Sequence, residues 1–119
     1  MEATGETIGK MYREHGYLMD THTAVAYRVY EDYRTETGDT IPTLIASTAS
    51  AYKFADSVAD AIGIGRGDDG FASVQAIHTA TGVPIPSGLQ GLEDKSVLHN
   101  NVVKAIHMDD AVKTALSRR

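Results

Sequence analysis

The sequence predicts an α/β fold rich in helix, with about five helices and one or two strands. Residues 44–46 form a short apolar run between Pro42 and a cluster of serine and threonine, which is typical of a buried strand. From Phe54 onward, apolar residues recur at helical spacing, and Gly63 is suited to end that helix. At 119 residues the chain has the length of one domain, so residues 1–119 are expected to form a single segment. In α/β proteins ligands bind at the turn that follows a buried parallel strand.

Two helices are predicted before this strand. The first covers residues 2–15 and ends at Gly16, because glycine readily adopts the left-handed conformation that closes a helix. The second covers residue 24 to about residue 37; Asp20 and Thr21 before it are both favourable N-cap residues, and Gly38 and Asp39 end it. It carries three apolar residues at helical spacing: Val25, Val29 and Tyr33.

Three further helical segments are predicted in the second half of the chain: residues 71–81, followed by Gly82; a short turn at residues 93–99; and residues 109–116. Arg118 and Arg119 follow the last helix, where positive charge suits the helix dipole. Residues 64–70 follow Gly63 and are rich in glycine, but they lack the spacing and the lysine of a phosphate-binding P-loop. We therefore predict a plain loop there.

The strand at residues 44–46 lacks neighbours within this sequence. Residues 102–106 are the only other strand candidate, and two strands alone are marginally stable in water. The apolar run shows no polar alternation, which indicates a strand covered on both faces. The sequence therefore predicts a piece of a larger sheet.

The composition argues against several classes of function. The net charge is -5, so no basic stripe is available to bind nucleic acid. The chain has no cysteine and no apolar run of membrane-spanning length, and its first residues do not resemble a signal peptide. Asp20 and His22 lack a third ligand, so no metal site is assigned. We expect a cytoplasmic protein that binds neither nucleic acid nor membrane.

Three sequence blocks occur in order along the chain: YLMDTHTAVAY at residues 17–27, STASAYKF at residues 47–54 and GLEDKSVLH at residues 91–99. Together they resemble the C-terminal part of threonine synthase, an enzyme that uses pyridoxal 5'-phosphate (PLP) and has the tryptophan synthase β-like fold (fold type II). The resemblance covers most of the chain but not the family's N-terminal half, which carries the lysine that binds the cofactor. The sequence departs from the family at Ala51, where proline is usual, so the preceding turn is expected to be less rigid.

The resemblance implies a cofactor site at the turn after residues 44–46. The Thr48 hydroxyl would hydrogen-bond the pyridine nitrogen of PLP, and Ser47 and Ala49 would shape the wall beside it. His22, Thr23 and Lys53 are the candidate substrate-binding residues. The start of a helix with free amides, threonines and a histidine is also a plausible anion site, although simple helix capping explains the same residues. No catalytic residue is assigned in this chain.

The resemblance also implies a reaction: conversion of O-phospho-L-homoserine and water to L-threonine and phosphate. The isolated chain is expected to be inactive, with the missing N-terminal half of the enzyme, or a self-associating copy, as its partner. An alternative is a non-catalytic α/β module without cofactor that binds a partner chain through the exposed edges of the strand at residues 44–46. A third possibility, a small phosphate-binding or regulatory domain, rests on the hydroxyl cluster and the glycine loop alone.

Overall fold

Five α-helices provide the regular structure of the chain in the computed structural model, which describes residues 2–117. They are α1 (Glu2–His15), α2 (Thr21–Thr37), α3 (Ala55–Ala61), α4 (Gly70–Thr81) and α5 (Met108–Leu116). Short 3-10 turns precede α3 at Ala51–Phe54 and α5 at Ala105–His107. The predicted helix-rich character and the number of helices are confirmed.

Local capping chemistry accounts for most helix boundaries. Asp20 and Asp69 are the N-cap residues of α2 and α4, and each carboxylate accepts hydrogen bonds from backbone N–H groups of the first turn. Gly38 and Gly82 follow the same two helices with φ of +70°, the left-handed conformation that glycine adopts without strain. These residue types at these spacings are what made the helices predictable.

The predicted strands are wrong for residues 2–117, in which no strand forms. Residues 44–46 lie in irregular chain with Leu44 fully exposed, and residues 102–106 run from irregular chain into the 3-10 turn before α5. A strand exists only when a second backbone segment accepts and donates its hydrogen bonds, and no other described segment lies in position to do so. The predicted helical turn at residues 93–99 is also wrong, because only residues 93–95 turn and the chain beyond them is irregular.

The core lies where α1, α3, α4 and the start of α2 meet. Ile8, Val58 and Ile77 are the largest apolar side chains of that core that are essentially fully buried. Close approach of α1 to α3 is possible because Gly9 faces the backbone of Ala61, where no side chain could be accommodated. Every buried side-chain nitrogen and oxygen within residues 2–117 has a hydrogen-bond partner.

The C-terminal third extends away from this core. The radius of gyration is 18.7 Å, against about 13–14 Å for a compact domain of this length. Residues 90–110 are all exposed, and α5 packs mainly on the 3-10 turn that precedes it. Large apolar side chains are exposed along this arm: Val97, Leu98, Val102, Ile106, Val112 and Leu116. Arg118 and Arg119, predicted to follow the last helix, lie outside the described residues.

A second exposed apolar surface, besides that of the C-terminal arm, lies on helix α2. Val25, Val29 and Tyr33, at helical spacing, are each about half exposed or more. None of the helices within residues 2–117 combines the length and the apolar character that crossing a membrane requires. The apolar stripe of α2 is therefore a surface left without a covering element in the described part of the chain.

Candidate cofactor and substrate site

A buried carboxylate organises the start of α2. Asp20 is 1% exposed, and its Oδ1 accepts hydrogen bonds from the backbone N–H of His22 at 2.8 Å and of Thr23 at 3.3 Å. Its Oδ2 accepts a hydrogen bond from the Thr23 hydroxyl. One side chain thus caps the helix and fixes the direction of the Thr23 side chain.

Thr23 connects this helix start to the predicted cofactor-binding turn. Its Oγ1 lies 3.0 Å from Oγ of Ser47, a residue 24 positions further along the chain. A threonine hydroxyl has one proton, and a carboxylate accepts hydrogen bonds without donating any. Because the Thr23 proton is directed to Asp20, the Ser47 hydroxyl donates to Thr23 Oγ1. Two regions that the sequence suggested separately are therefore in direct contact.

His22 lies on the surface beside this network. Its Nδ1 is 3.5 Å from Asp20 Oδ1, and its ring packs against Phe54 with centroids 5.0 Å apart and planes tilted by 55°. The Lys53 ammonium lies 5.5 Å from the centroid of the same Phe54 ring, within reach of a cation–π interaction. The structure thus places His22 and Lys53 around one aromatic side chain.

Thr48 and Ala49 form the exposed part of the hydroxyl turn. Thr48 is exposed and Ala49 is partly buried. Immediately after them, the Ser50 side chain accepts a hydrogen bond from the backbone N–H of Tyr52, and Ser50 caps the 3-10 turn that leads into α3. The Tyr52 hydroxyl in turn donates to the carbonyl oxygen of Val83, which anchors this turn on the core. The Thr48 hydroxyl is therefore held at the surface between two fixed points.

The carboxylate of Asp20 is stabilised in its ionised form. Burial by itself would raise the pKa of Asp20. The hydrogen bonds from the Thr23 hydroxyl and from the backbone N–H groups of His22 and Thr23, with the charge of His22, outweigh burial and lower the pKa below its ordinary value. The ionised acceptor that the network requires is thus the form that prevails near neutral pH.

The lowered pKa of Asp20 predicts an acid-dependent loss of stability. Its contribution is complete above the ordinary value of 3.8 and disappears as the pH falls through the lower value of the folded state. Urea unfolding between pH 6 and pH 2 should therefore show a steeper decline for the natural chain than for the Asp20→Asn variant. Parallel curves for the two proteins would contradict the proposed ionised state.

A cleft opens beside His22, between α1, the start of α2 and α3. Its volume is about 870 Å³, within the range of small-molecule sites. Its lining includes His22, Phe54, Arg13 and Arg66. Arg66 is already paired with Asp60, so its charge is not fully available to an anionic ligand. The cleft has room for a small ligand but no concentrated positive charge.

Two contributors to this site were not recognised in their roles from the sequence. Asp20 was predicted as a helix cap, and the spacing to Thr23 at the third helical position was the signal for the additional side-chain contact. Phe54 was predicted as an apolar residue of the next helix, and nothing in the sequence indicated its contact with His22. That contact depends on how α2 and the 3-10 turn pack.

The comparison with known families decides what kind of chain this is. A family model described as "Threonine synthase, C-terminal" matches residues 23–116, which is most of the chain. The chain belongs to this threonine synthase C-terminal family. The resemblance seen in the three sequence blocks is confirmed.

The match includes most of the candidate site of this threonine synthase family member. Thr23, the turn at residues 47–49 and Lys53 lie inside the matched range, while Asp20 and His22 immediately precede it. The family is generally PLP-dependent. The residues present are compatible with that cofactor, because Thr48 offers an exposed hydroxyl as a hydrogen-bond partner and Ala49 adds little bulk beside it.

Proposed function

We propose that this chain is the C-terminal part of a threonine synthase that converts O-phospho-L-homoserine and water to L-threonine and phosphate. PLP, when bound, would supply the electron sink that such a reaction requires. The family match supports the enzyme class, and the exposed hydroxyl turn at residues 47–49 supports the location of the cofactor site. The proposed enzyme is a lyase that acts on a phosphorylated amino acid, and we propose the cytoplasm as its location.

The Thr48 hydroxyl is the group we assign to the pyridine nitrogen. A neutral hydroxyl can hydrogen-bond this nitrogen without holding it protonated, as a carboxylate would. Ser47 and Ala49 form the wall on either side of Thr48. The observation that carries this assignment is the position of Thr48: exposed, within a turn that is bound to the protein on both sides.

The candidate substrate-binding residues contribute in different ways. His22 and Lys53 are exposed and adjacent through Phe54, so both can contact a ligand directly. Thr23 is buried and its hydroxyl is hydrogen-bonded on both sides, so we assign it an indirect role. The substrate carries a carboxylate and a phosphate, and the Lys53 ammonium is the group of this set that would attract them.

We propose that the partner of this chain is the N-terminal half of the enzyme, or a second copy of this chain with which it self-associates. The apolar side chains exposed on α2 and along residues 90–117 support this proposal, because isolated domains seldom expose so many of them. A partner-binding module that uses the edge of a strand is not supported, since residues 44–46 form no strand. The family's cofactor lysine falls outside the matched blocks, so residues 1–119 alone should not turn over substrate.

The proposal predicts activity only when the two halves are combined. Phosphate release from O-phospho-L-homoserine should be absent with the isolated chain and appear on mixing it with the N-terminal half of a threonine synthase, complex formation being checked by size-exclusion chromatography. Thr48→Val should lower this activity about tenfold or more, because it removes one hydrogen bond to the ring while retaining the shape.

The matched control is Thr43→Val, which alters an exposed threonine of the same segment and should leave activity unchanged. Turnover by the isolated chain would contradict the proposal. So would a stoichiometric adduct at Lys53 after incubation of the isolated chain with PLP and borohydride reduction, since it would show a complete cofactor site within residues 1–119.

A further inference from the structure

The turn at residues 47–49 is reached through a long segment with few anchors. Residues 39–46 have no regular structure, and their hydrogen bonds are local. Examples are the Ile41 N–H to the Asp39 carboxylate and the Thr43 hydroxyl to the Ile41 carbonyl oxygen. The contact between Ser47 and Thr23 is the first to join this segment to a residue near the core.

The Thr23 side of that contact is held by the buried carboxylate of Asp20. Thr23 is 7% exposed and Asp20 is 1% exposed, so the Thr23 hydroxyl is held where water competes little for its hydrogen bonds. The Asp20 carboxylate is itself fixed by two backbone N–H groups of α2. The chain of contacts from Asp20 through Thr23 to Ser47 therefore ties the turn to a rigid helix start.

We propose that Asp20 and Thr23 are positioning residues that hold the turn at residues 47–49 and thereby direct the Thr48 hydroxyl toward the cofactor. The holding of the turn follows from the contacts alone, while its use in cofactor binding rests on the proposed function. We define the three residues Asp20, Thr23 and Ser47 as the hydroxyl latch.

The hydroxyl latch has a fixed hydrogen-bond direction with a chemical consequence. The Thr23 hydroxyl has one proton, and it is donated to Asp20. The 3.0 Å contact between the Thr23 and Ser47 oxygens therefore requires the Ser47 proton, which is committed to the latch while the contact holds. Ser47 can then accept a hydrogen bond from a ligand but cannot donate one. While the latch contact holds, an N–H or O–H donor next to Ser47 is therefore favoured over an unprotonated phosphate oxygen.

Backbone dynamics of the isolated chain test the latch without any cofactor. We expect ¹⁵N order parameters of residues 47–49 near the rigid value of about 0.85 in the natural chain, falling toward about 0.6 or below in Thr23→Val. Ser47→Ala should have the same effect, and because Ser47 is exposed this variant carries little risk to folding. Thr23→Ser should restore the natural values, because it keeps the hydroxyl.

The control separates a positioning role from a general loss of stability. Thr7→Val also alters a buried threonine, whose hydroxyl donates to the Ala3 carbonyl oxygen within α1, and it should leave residues 47–49 rigid. Unchanged order parameters in Thr23→Val and Ser47→Ala, or equal loosening in Thr7→Val, would overturn the latch. A confirmed latch with no effect of Thr48→Val on the activity of the combined halves would instead show that the assignment of Thr48 to the cofactor is wrong, and absence of activity in the combined halves would show that the proposed function is wrong.

Discussion

Gly9→Ala should be destabilising, although alanine is the better helix former. A β-carbon at position 9 would overlap the carbonyl oxygen of Ala61, so α1 and α3 would have to move apart. Overpacking of this kind costs about 1–3 kcal/mol, which exceeds the gain of about 0.5–1 kcal/mol from replacing glycine in a helix. We expect a net loss of about 1 kcal/mol, and at most about 2.5 kcal/mol, in the free energy of unfolding, measured by urea denaturation.

Gly5→Ala provides the matched control on the same helix. Its β-carbon would lie 3.9 Å from the Ala61 β-carbon, which is an ordinary van der Waals contact. This substitution should therefore stabilise the chain by up to about 1 kcal/mol, because only the helix propensity changes. If both variants shift stability in the same direction, the close approach of α1 to α3 is not as described.

Asp20→Ala should have an effect as large as that of Gly9→Ala or larger. It removes the cap of α2, worth about 0.5–2 kcal/mol, and the hydrogen bond from the buried Thr23 hydroxyl to an ionised carboxylate, worth about 1.5–3 kcal/mol. We expect a loss of about 2–4 kcal/mol in the free energy of unfolding. Differential scanning calorimetry and urea denaturation should agree on the direction.

Asp69→Ala is the control for this second prediction. Asp69 also caps a helix, but it is exposed and its side chain accepts one hydrogen bond, from the Ala72 N–H. The expected loss is about 1 kcal/mol, the typical value for a cap alone. Equal losses at Asp20 and Asp69 would indicate that burial and the Thr23 contact add nothing to the role of Asp20.

If the larger effect at Asp20 is observed, the stability of the chain and its candidate site depend on the same side chain. Asp20 caps α2, which packs on the core, and through Thr23 it also holds the turn that carries Thr48. Substitutions of Asp20 in the combined enzyme would then lower activity together with stability. Ser47→Ala would separate the effect on activity from the effect on stability, because it frees the turn while leaving the buried Asp20 and Thr23 in place.

The helices could be predicted because their signals are local. Asp20 and Asp69 precede helices, Gly16, Gly38 and Gly82 follow them, and such residues act through atoms only a few positions away. The sequence blocks that identify the family are also local patterns of residues. Helix number and family membership therefore followed from the sequence.

The strand at residues 44–46 could not be predicted correctly by the same means. An apolar run shows that a segment tends to be buried, but strand formation requires hydrogen bonds with a neighbouring backbone, which a single segment cannot supply. In residues 2–117 that neighbour is absent, and Leu44 is exposed. The same limit applies to the exposed apolar stripe of α2. The spacing of its residues predicts one face of a helix, but it does not predict which surface, if any, covers that face.

By itself the sequence determined the family, the five helices and the two stretches that carry the candidate site. Only the tertiary structure showed that these stretches touch, through the hydrogen bond between Thr23 and Ser47, and that Phe54 lies between His22 and Lys53. It also showed that Asp20 is buried rather than a surface cap. The physical reason is distance along the chain: capping and helical periodicity act over a few residues, whereas burial and side-chain contacts between distant segments depend on how the helices pack.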